Sequence, residues 1–243
     1  MTAEASARNP LATLRSISII IPVYNEARTV QELIEKVRSV DLGLEKEILV
    51  VNDGSSDGTK EALAIYDDGS RGVWVHHSPV NLGKGASLRI GFRRATCDIV
   101  TIQDADLELD PSEFRRLVQP ILNGEADVVY GSRFRDAGIR GDLTFYLANR
   151  ALSLFTNVLY RSSLTDIETC YKVFRRDALS QLVLRASRFE IEPEMTAQVL
   201  KRGLRLVELP IGYNPRSKAD GKKISWKDGF AALAMLINQR FGK

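Results

Sequence analysis

The chain is poor in the residues that brace small folds: among its 243 residues there are two cysteines and two histidines. Cys97 and Cys170 lie far apart, without zinc-ligand spacing, and make no disulfide framework. Both are therefore expected as reduced thiols in or near the core. His76 and His77 are neighbours with no further ligand at a helpful interval, so a structural role is expected. Long apolar runs are lacking too. The longest near the C-terminus, Phe230 to Ile237, is far short of the roughly 20 residues of a membrane span. Residues 1–15 carry Arg8 and Arg15 among small polar residues and hold no signal-peptide core, so they are expected to form a flexible leader. A strong charge excess is also missing. The formal net charge of +3 suits an anionic ligand or a membrane surface and does not mark a nucleic-acid binder. The expected location is cytoplasmic, peripheral at the membrane face.

What is present is enough apolar material, 44% of the residues, for one globular domain with a substantial core. Ser16 to Val23 is a β-branched run closed by Pro22, the pattern of a strand buried on both faces. From Thr29 the spacing becomes helical, with Val30, Leu33, Ile34 and Val37 on one face, and Thr29 with Glu32 fits a capping box. Glu47–Val51 repeats the strand, and a helix through Ala62, Leu63 and Ile65 follows. Two such units in succession imply a parallel sheet with right-handed crossovers. Val73–His77, Asp98–Ile102, Asp127–Gly131, Cys170–Phe174 and Leu204–Ile211 are further strands. Helices are expected through Leu88 to Ala95, over Phe114 to Leu122, and from Met195 to Leu200 up to Gly203. Leu143 to Tyr160 is a longer helical pattern in which Leu147, Ala151, Leu154 and Val158 share a face. The domain is expected over 16–225, followed by an amphipathic helix over 226–243. That last helix either docks on the core or lies in a lipid interface, with Trp226 and Phe241 at its ends.

The polar clusters fall where strands end. After Ile102 come Asp104, Asp106 and Glu108, and alternation in an extended chain lets these acids point the same way. They either share a divalent cation or form a solvated loop that caps the helix after Pro111. Tyr24–Glu26, Asn52–Ser55 and Ser132–Arg133 end other strands. In an open parallel sheet ligands bind beyond the carboxyl ends of the strands, so polar groups gathered at one rim favour a binding crevice. Asn81-Leu82-Gly83-Lys84-Gly85 leads into a helix and suits phosphate, though it lacks the Walker pattern.

Taken in order, Ile21-Pro22-Val23-Tyr24-Asn25-Glu26, Val50-Val51-Asn52-Asp53-Gly54-Ser55, Asn81 to Gly85 and Asp104-Ala105-Asp106 resemble the inverting family 2 glycosyltransferases of the GT-A fold. Within these the chain looks most like the dolichol-phosphate mannose synthase and polyprenyl-phosphate glucosyltransferase branch. Ser132-Arg133, Asn149-Arg150, Asp166 to Tyr171 and Pro210 to Lys223 extend the likeness. The resemblance implies an α/β, Rossmann-like, mostly parallel sheet flanked by helices. It implies that Pro22, Tyr24, Glu26, Asp53, Gly83, Lys84, Gly85 and Ala105 line a nucleotide-sugar pocket. Asp104 and Asp106, completed by Glu108, would hold Mg2+ or Mn2+ on the diphosphate. Arg133 and Arg150 are implied in catalysis and, with Arg216, Lys218 and Lys222, in gripping a polyprenyl-phosphate acceptor. Asn52 stands where many relatives carry a second aspartate, which leaves uracil and guanine both open. A hydroxyl acceptor would instead need a base such as Asp166 or Glu168. A separate membrane protein is a possible partner.

Overall fold

The computed structural model describes residues 14–69, 71–135, 143–215 and 226–242, the side chains of 226–228 excepted. Strand β1 (Ser16–Val23) is central, and Ile17, Ile19, Ile20 and Ile21 are all buried, which is why its run is apolar on both faces. Strands β2 (Glu45–Asn52) and β3 (Val73–His77) extend the sheet on one side of it, and β4 (Ile99–Ile102) pairs with its other edge, all in parallel. The crossovers carry α1 (Val30–Ser39), α2 (Thr59–Leu63) and α3 (Lys84–Arg94). Helix α1 buries Val30, Leu33, Ile34 and Val37, the expected face.

Two short helices, α4 (Phe114–Leu117) and α5 (Gln119–Leu122), lead to β5 (Val128–Ser132). Then come α6 (Leu143–Tyr160), β6 (Lys172–Arg175), α7 (Arg176–Leu179), α8 (Ile191–Lys201), β7 (Leu206–Pro210) and α9 (Trp226–Phe241). Among the described residues the strands form one seven-stranded sheet in the order β3-β2-β1-β4-β6-β5-β7. The mostly parallel α/β architecture is as expected, with one addition. Strand β6 runs antiparallel to both β4 and β5.

Three local expectations are corrected, and a fourth is given its direction. Thr29 makes no capping bond to its helix; its hydroxyl donates to Glu26 Oε2 at 2.9 Å, while Glu32 pairs with Lys36. The helix expected over Phe114–Leu122 is broken between α4 and α5, because Pro120, in the first turn of α5, has no N–H to continue the ladder. Helix α2 stops at Leu63, and Ile65 sits exposed in a 3-10 turn. In α6 the stripe of Leu147, Ala151, Leu154 and Val158 does share a face, but that face points outward. The buried side is Asn149, Leu152, Ser153 and Thr156. It packs on a loop with backbone groups to satisfy: Ser153 Oγ accepts from Ile167 N and Asn157 Nδ2 donates to Leu164 O.

Helix α3 lies directly on β1. A Cβ on Gly91 would stand 2.4 Å from Ile20 Cγ2. Alanine is the better helix former by about 1 kcal/mol, yet Gly91→Ala is expected to lower stability by about 1–3 kcal/mol through overpacking. Urea unfolding of the two proteins measures this.

Candidate active site

The direction of strand addition reverses at β1, since β2 and β3 build away from one edge and β4 occupies the other. A crevice opens outside the carboxyl ends at such a switch point. The segments after β1, β2, β4 and β5 meet there. Because β6 is reversed, the residues that lead into it, Asp166 to Tyr171, reach the same rim, and the chain after β7 adds Tyr213. The result is a cavity of about 360 Å³, within the range of small-molecule sites. Of the residues expected in the site, Pro22, Tyr24, Glu26, Asp53, Gly83, Lys84, Asp104, Ala105, Asp106, Glu108 and Arg133 all line it.

The acids arrive by a turn and not by strand alternation. Strand β4 ends at Ile102, and Leu107 takes a left-handed conformation at φ 61°. Asp106 Oδ1 accepts from Glu108 N at 3.1 Å, and Glu108 hydrogen-bonds the Tyr213 phenol, which burial and this neighbour push up to about 12. Among the described residues no three His, Cys, Asp or Glu side chains converge tightly enough to cage an ion unaided. A hard cation that keeps substrate oxygens in its shell needs only one or two carboxylates. Asp104 and Asp106 on one cavity wall fit that demand, and a cation already stands on the first of them. Lys84 Nζ lies 2.9 Å from Asp104 Oδ1 and 3.0 Å from Oδ2.

Burial works against ionising Asp104, but the Lys84 ammonium outweighs it and holds the carboxyl below its ordinary range. Lys84 also reaches Glu192 Oε1 at 3.1 Å, and Glu192 Oε2 is 2.6 Å from the buried Lys172 Nζ. Lys172 is further held by the carbonyls of Ile167 and Thr169. Arg133 and Asp166 make a second buried pair, with Nε and Nη2 at 2.7 and 2.8 Å from the two carboxylate oxygens. Burial alone would raise Asp166; Arg133 lowers it. The guanidinium also lies within 5.3–5.6 Å of the Phe134, Phe145 and Tyr213 rings, a cation–π setting.

The glycine loop is held by Asp53, which accepts from Leu82 N and Gly83 N at 2.7 and 2.8 Å. Gly85 is outside the cavity lining and packs where a Cβ would meet Ala186 O at 2.5 Å. Asn52 also stays out of the lining and braces the turn through Ser55 N and His77 Nδ1. Arg150 is half-buried, donates to Thr165 O at 3.2 Å and does not line the cavity. Arg216, Lys218 and Lys222 lie outside the described residues. Both cysteines are free, and Cys170 lines the cavity with its thiol pushed up by burial.

Sequence reasoning missed Glu192, Arg188, Phe189 and Phe145 in the cavity wall. The available signal was Glu192 and Glu194 in the first turn of a helix whose other positions are apolar or small. Glu194 accepts from Arg185 N and Ala186 N, tying down the chain that leads to Arg188.

Fold and rim together define the class: an α/β domain of the GT-A type with a nucleotide-sized crevice at the switch point. The crystal structure of glucosyl-3-phosphoglycerate synthase from Mycobacterium tuberculosis, in complex with Mn2+, UDP and phosphoglyceric acid, matches with a TM-score of 0.72. At 20% identity over 93% of this chain and 79% of that one, the match shows a shared fold. The chain belongs to Glycosyl transferase family 2, whose domain it matches over residues 18–183. It is 29% identical to the low-salt glycan biosynthesis hexosyltransferase Agl6 of Haloferax volcanii, over 92% of this chain and 54% of that protein. It is 25% identical to the dolichyl-phosphate beta-glucosyltransferase ALG5A of Trichomonas vaginalis, over 86% of this chain and 68% of that protein. The chain thus spans about half the length of the first of these relatives.

Glu168 offers a test of the cavity's polarity. It lines the wall, its Oε1 is shut off from water with no hydrogen-bond partner among the described residues, and burial pushes its carboxyl from 4.5 up to about 7. Lys172 and Arg133 act against that rise, while Glu192 and Asp166 add to it. A raised folded-state value means stability present below pH 4.5 that is lost as pH rises through about 7. Glu168→Gln is therefore expected to gain roughly 1–3 kcal/mol on the wild type between pH 4.5 and pH 8, read from paired denaturant titrations.

Proposed function

We propose that the chain is a metal-dependent inverting glycosyltransferase that moves a hexose, mannose or glucose, from a UDP- or GDP-linked donor to a polyprenyl or dolichyl phosphate. The observation that carries this reading is the composition of the cavity wall. Carboxylates of the 104–108 turn share the wall with a glycine loop whose lysine touches Asp104, and the start of α6 adds Phe145. Asp104 and Asp106, with Glu108 beside them, would hold Mg2+ or Mn2+; the ion, when bound, supplies Lewis-acid stabilisation of the departing diphosphate. Pro22, Tyr24, Glu26 and Asp53 shape the nucleotide end. A phosphate acceptor is already an anion and needs orientation more than deprotonation. Arg188 in the wall, with Arg216, Lys218 and Lys222, would hold it in line, while Arg133 is set by Asp166 and Arg150, outside the lining, holds the Thr165 carbonyl.

The outer surface supports a lipid-borne acceptor. Beyond Phe145, α6 presents Leu147, Leu154 and Val158 to the outside, and α9 presents Phe230, Ile237 and Phe241. The helices are tied by Tyr160, whose hydroxyl donates to Leu236 O at 2.8 Å. No helix of the described residues is long and apolar enough to cross a membrane, so these faces suit lying in an interface. The relative named as a dolichyl-phosphate beta-glucosyltransferase points the same way.

A second reading, transfer to a hydroxyl acceptor, is favoured by one observation. Glu168, with its carboxyl near 7, has the properties of a general base at neutral pH, whereas Asp166 is committed to Arg133 and Asn149.

Incubation of the protein with UDP- and GDP-hexoses, Mn2+ or Mg2+, and short polyprenyl phosphates tests the first reading. Glycosyl-phosphoryl-polyprenol should form, and Asp106→Ala should lower turnover about 10²–10³-fold with the fold intact by circular dichroism. Consumption of hydroxyl acceptors in place of the lipid phosphate would select the second. Sedimentation with anionic vesicles should retain the wild type and lose the Leu154→Glu, Val158→Glu double variant.

A further inference from the structure

Four charges form a chain of alternating sign that runs inward from the cavity wall, Asp104–Lys84–Glu192–Lys172, with successive separations of 2.9, 3.1 and 2.6 Å. Its formal charges cancel. The members differ in freedom. Lys172 is wholly buried and pinned by backbone carbonyls as well as by Glu192. Glu192 is 2% exposed, on a helix whose first nine residues are all buried. Lys84 is different: it opens α3, lines the cavity, and reaches both carboxylates with a flexible four-carbon arm. Asp104, the other terminus, also faces the cavity.

We propose that Lys84 is a tethered counter-ion for Asp104, occupying that carboxylate in the free protein and yielding it when a divalent cation arrives together with a diphosphate. The inference rests on the reading of Asp104 as a metal-holding carboxylate and says how that site is kept in waiting. Two cations cannot share the Asp104 oxygens without strong repulsion. Lys84 therefore has to leave for the ion to be held, and leaving strips the ammonium of one of its two carboxylates. A donor diphosphate restores an anionic partner within reach of the same arm, because the glycine loop and Asp104 line one cavity. Glu192 remains as the pivot. The consequence is selectivity in timing: the metal alone meets an occupied carboxylate, whereas metal and nucleotide together give Asp104 a new cation and Lys84 a new anion.

The test compares wild type with Lys84→Met and Lys84→Gln, the amide keeping a hydrogen bond to Asp104 without the charge. Binding of Mn2+ alone is followed by electron paramagnetic resonance of the free ion, and Mn2+-induced melting shifts are recorded with and without UDP or GDP. The expected result is that both variants bind Mn2+ alone about 5- to 10-fold more tightly than the wild type, an increase of the size of an ordinary coupling between sites. Each should melt lower than wild type in chelator and regain more on adding Mn2+, while the factor by which nucleotide tightens Mn2+ should shrink. Mn2+ affinity in a folded Lys84→Gln protein equal to or weaker than wild type overturns the inference. Wild type that binds no Mn2+ even with either nucleotide overturns the metal reading itself, so the two failures are distinguishable.

Discussion

A carboxylate withdrawn from water must find a positive partner or fixed N–H donors in the same place, and the rim of this domain is built around that requirement. An uncompensated ion in such a setting costs several kcal/mol. Each solution here also joins two parts of the chain. Lys84 on α3 meets Asp104 after β4, Arg133 after β5 meets Asp166 before β6, and Lys172 on β6 meets Glu192 on α8. Elsewhere backbone amides serve: Glu208 accepts from Thr165 N and Asp166 N, and Glu194 from Arg185 N and Ala186 N. The loops that form the cavity are thus held by the same interactions that make its charges tolerable.

Much of the first half was legible because burial there writes directly into the pattern. A strand covered on both faces has to be apolar throughout, as β1 is, and a helix on the sheet has to show one stripe, as α1 does. The acids at 104–108 and the Asp53 turn could be placed at one rim from strand ends alone, and the glycine loop joined them through the family resemblance. Strand β6 could not be oriented, since four residues, Lys172–Arg175, carry no mark of direction. The inner face of α6 could not be read from its apolar stripe either. Its neighbour is a loop with backbone groups to satisfy, so Asn149, Ser153 and Asn157 turn inward beside Leu152, while Leu147 and Leu154 face outward. Glu192 could not be placed at the rim from the sequence, because Lys84 and Lys172, which neutralise it, are distant in sequence and approach only in the folded chain. Pro120, by contrast, marks the break between α4 and α5 openly.

The reversal of β6 has a meaning beyond geometry. It forms the seam between two contributions, the parallel strands β3-β2-β1-β4 on one side and the pair β5-β7 on the other. Everything proposed to grip the nucleotide and its ion comes from the first contribution, and most of what faces an acceptor comes from the second. The match to the family domain, residues 18–183, takes in β5, α6 and β6 and so spans that seam. Substitutions on the β5-β7 side can therefore reshape what meets the proposed acceptor without disturbing the strands that carry the acids and the glycine loop.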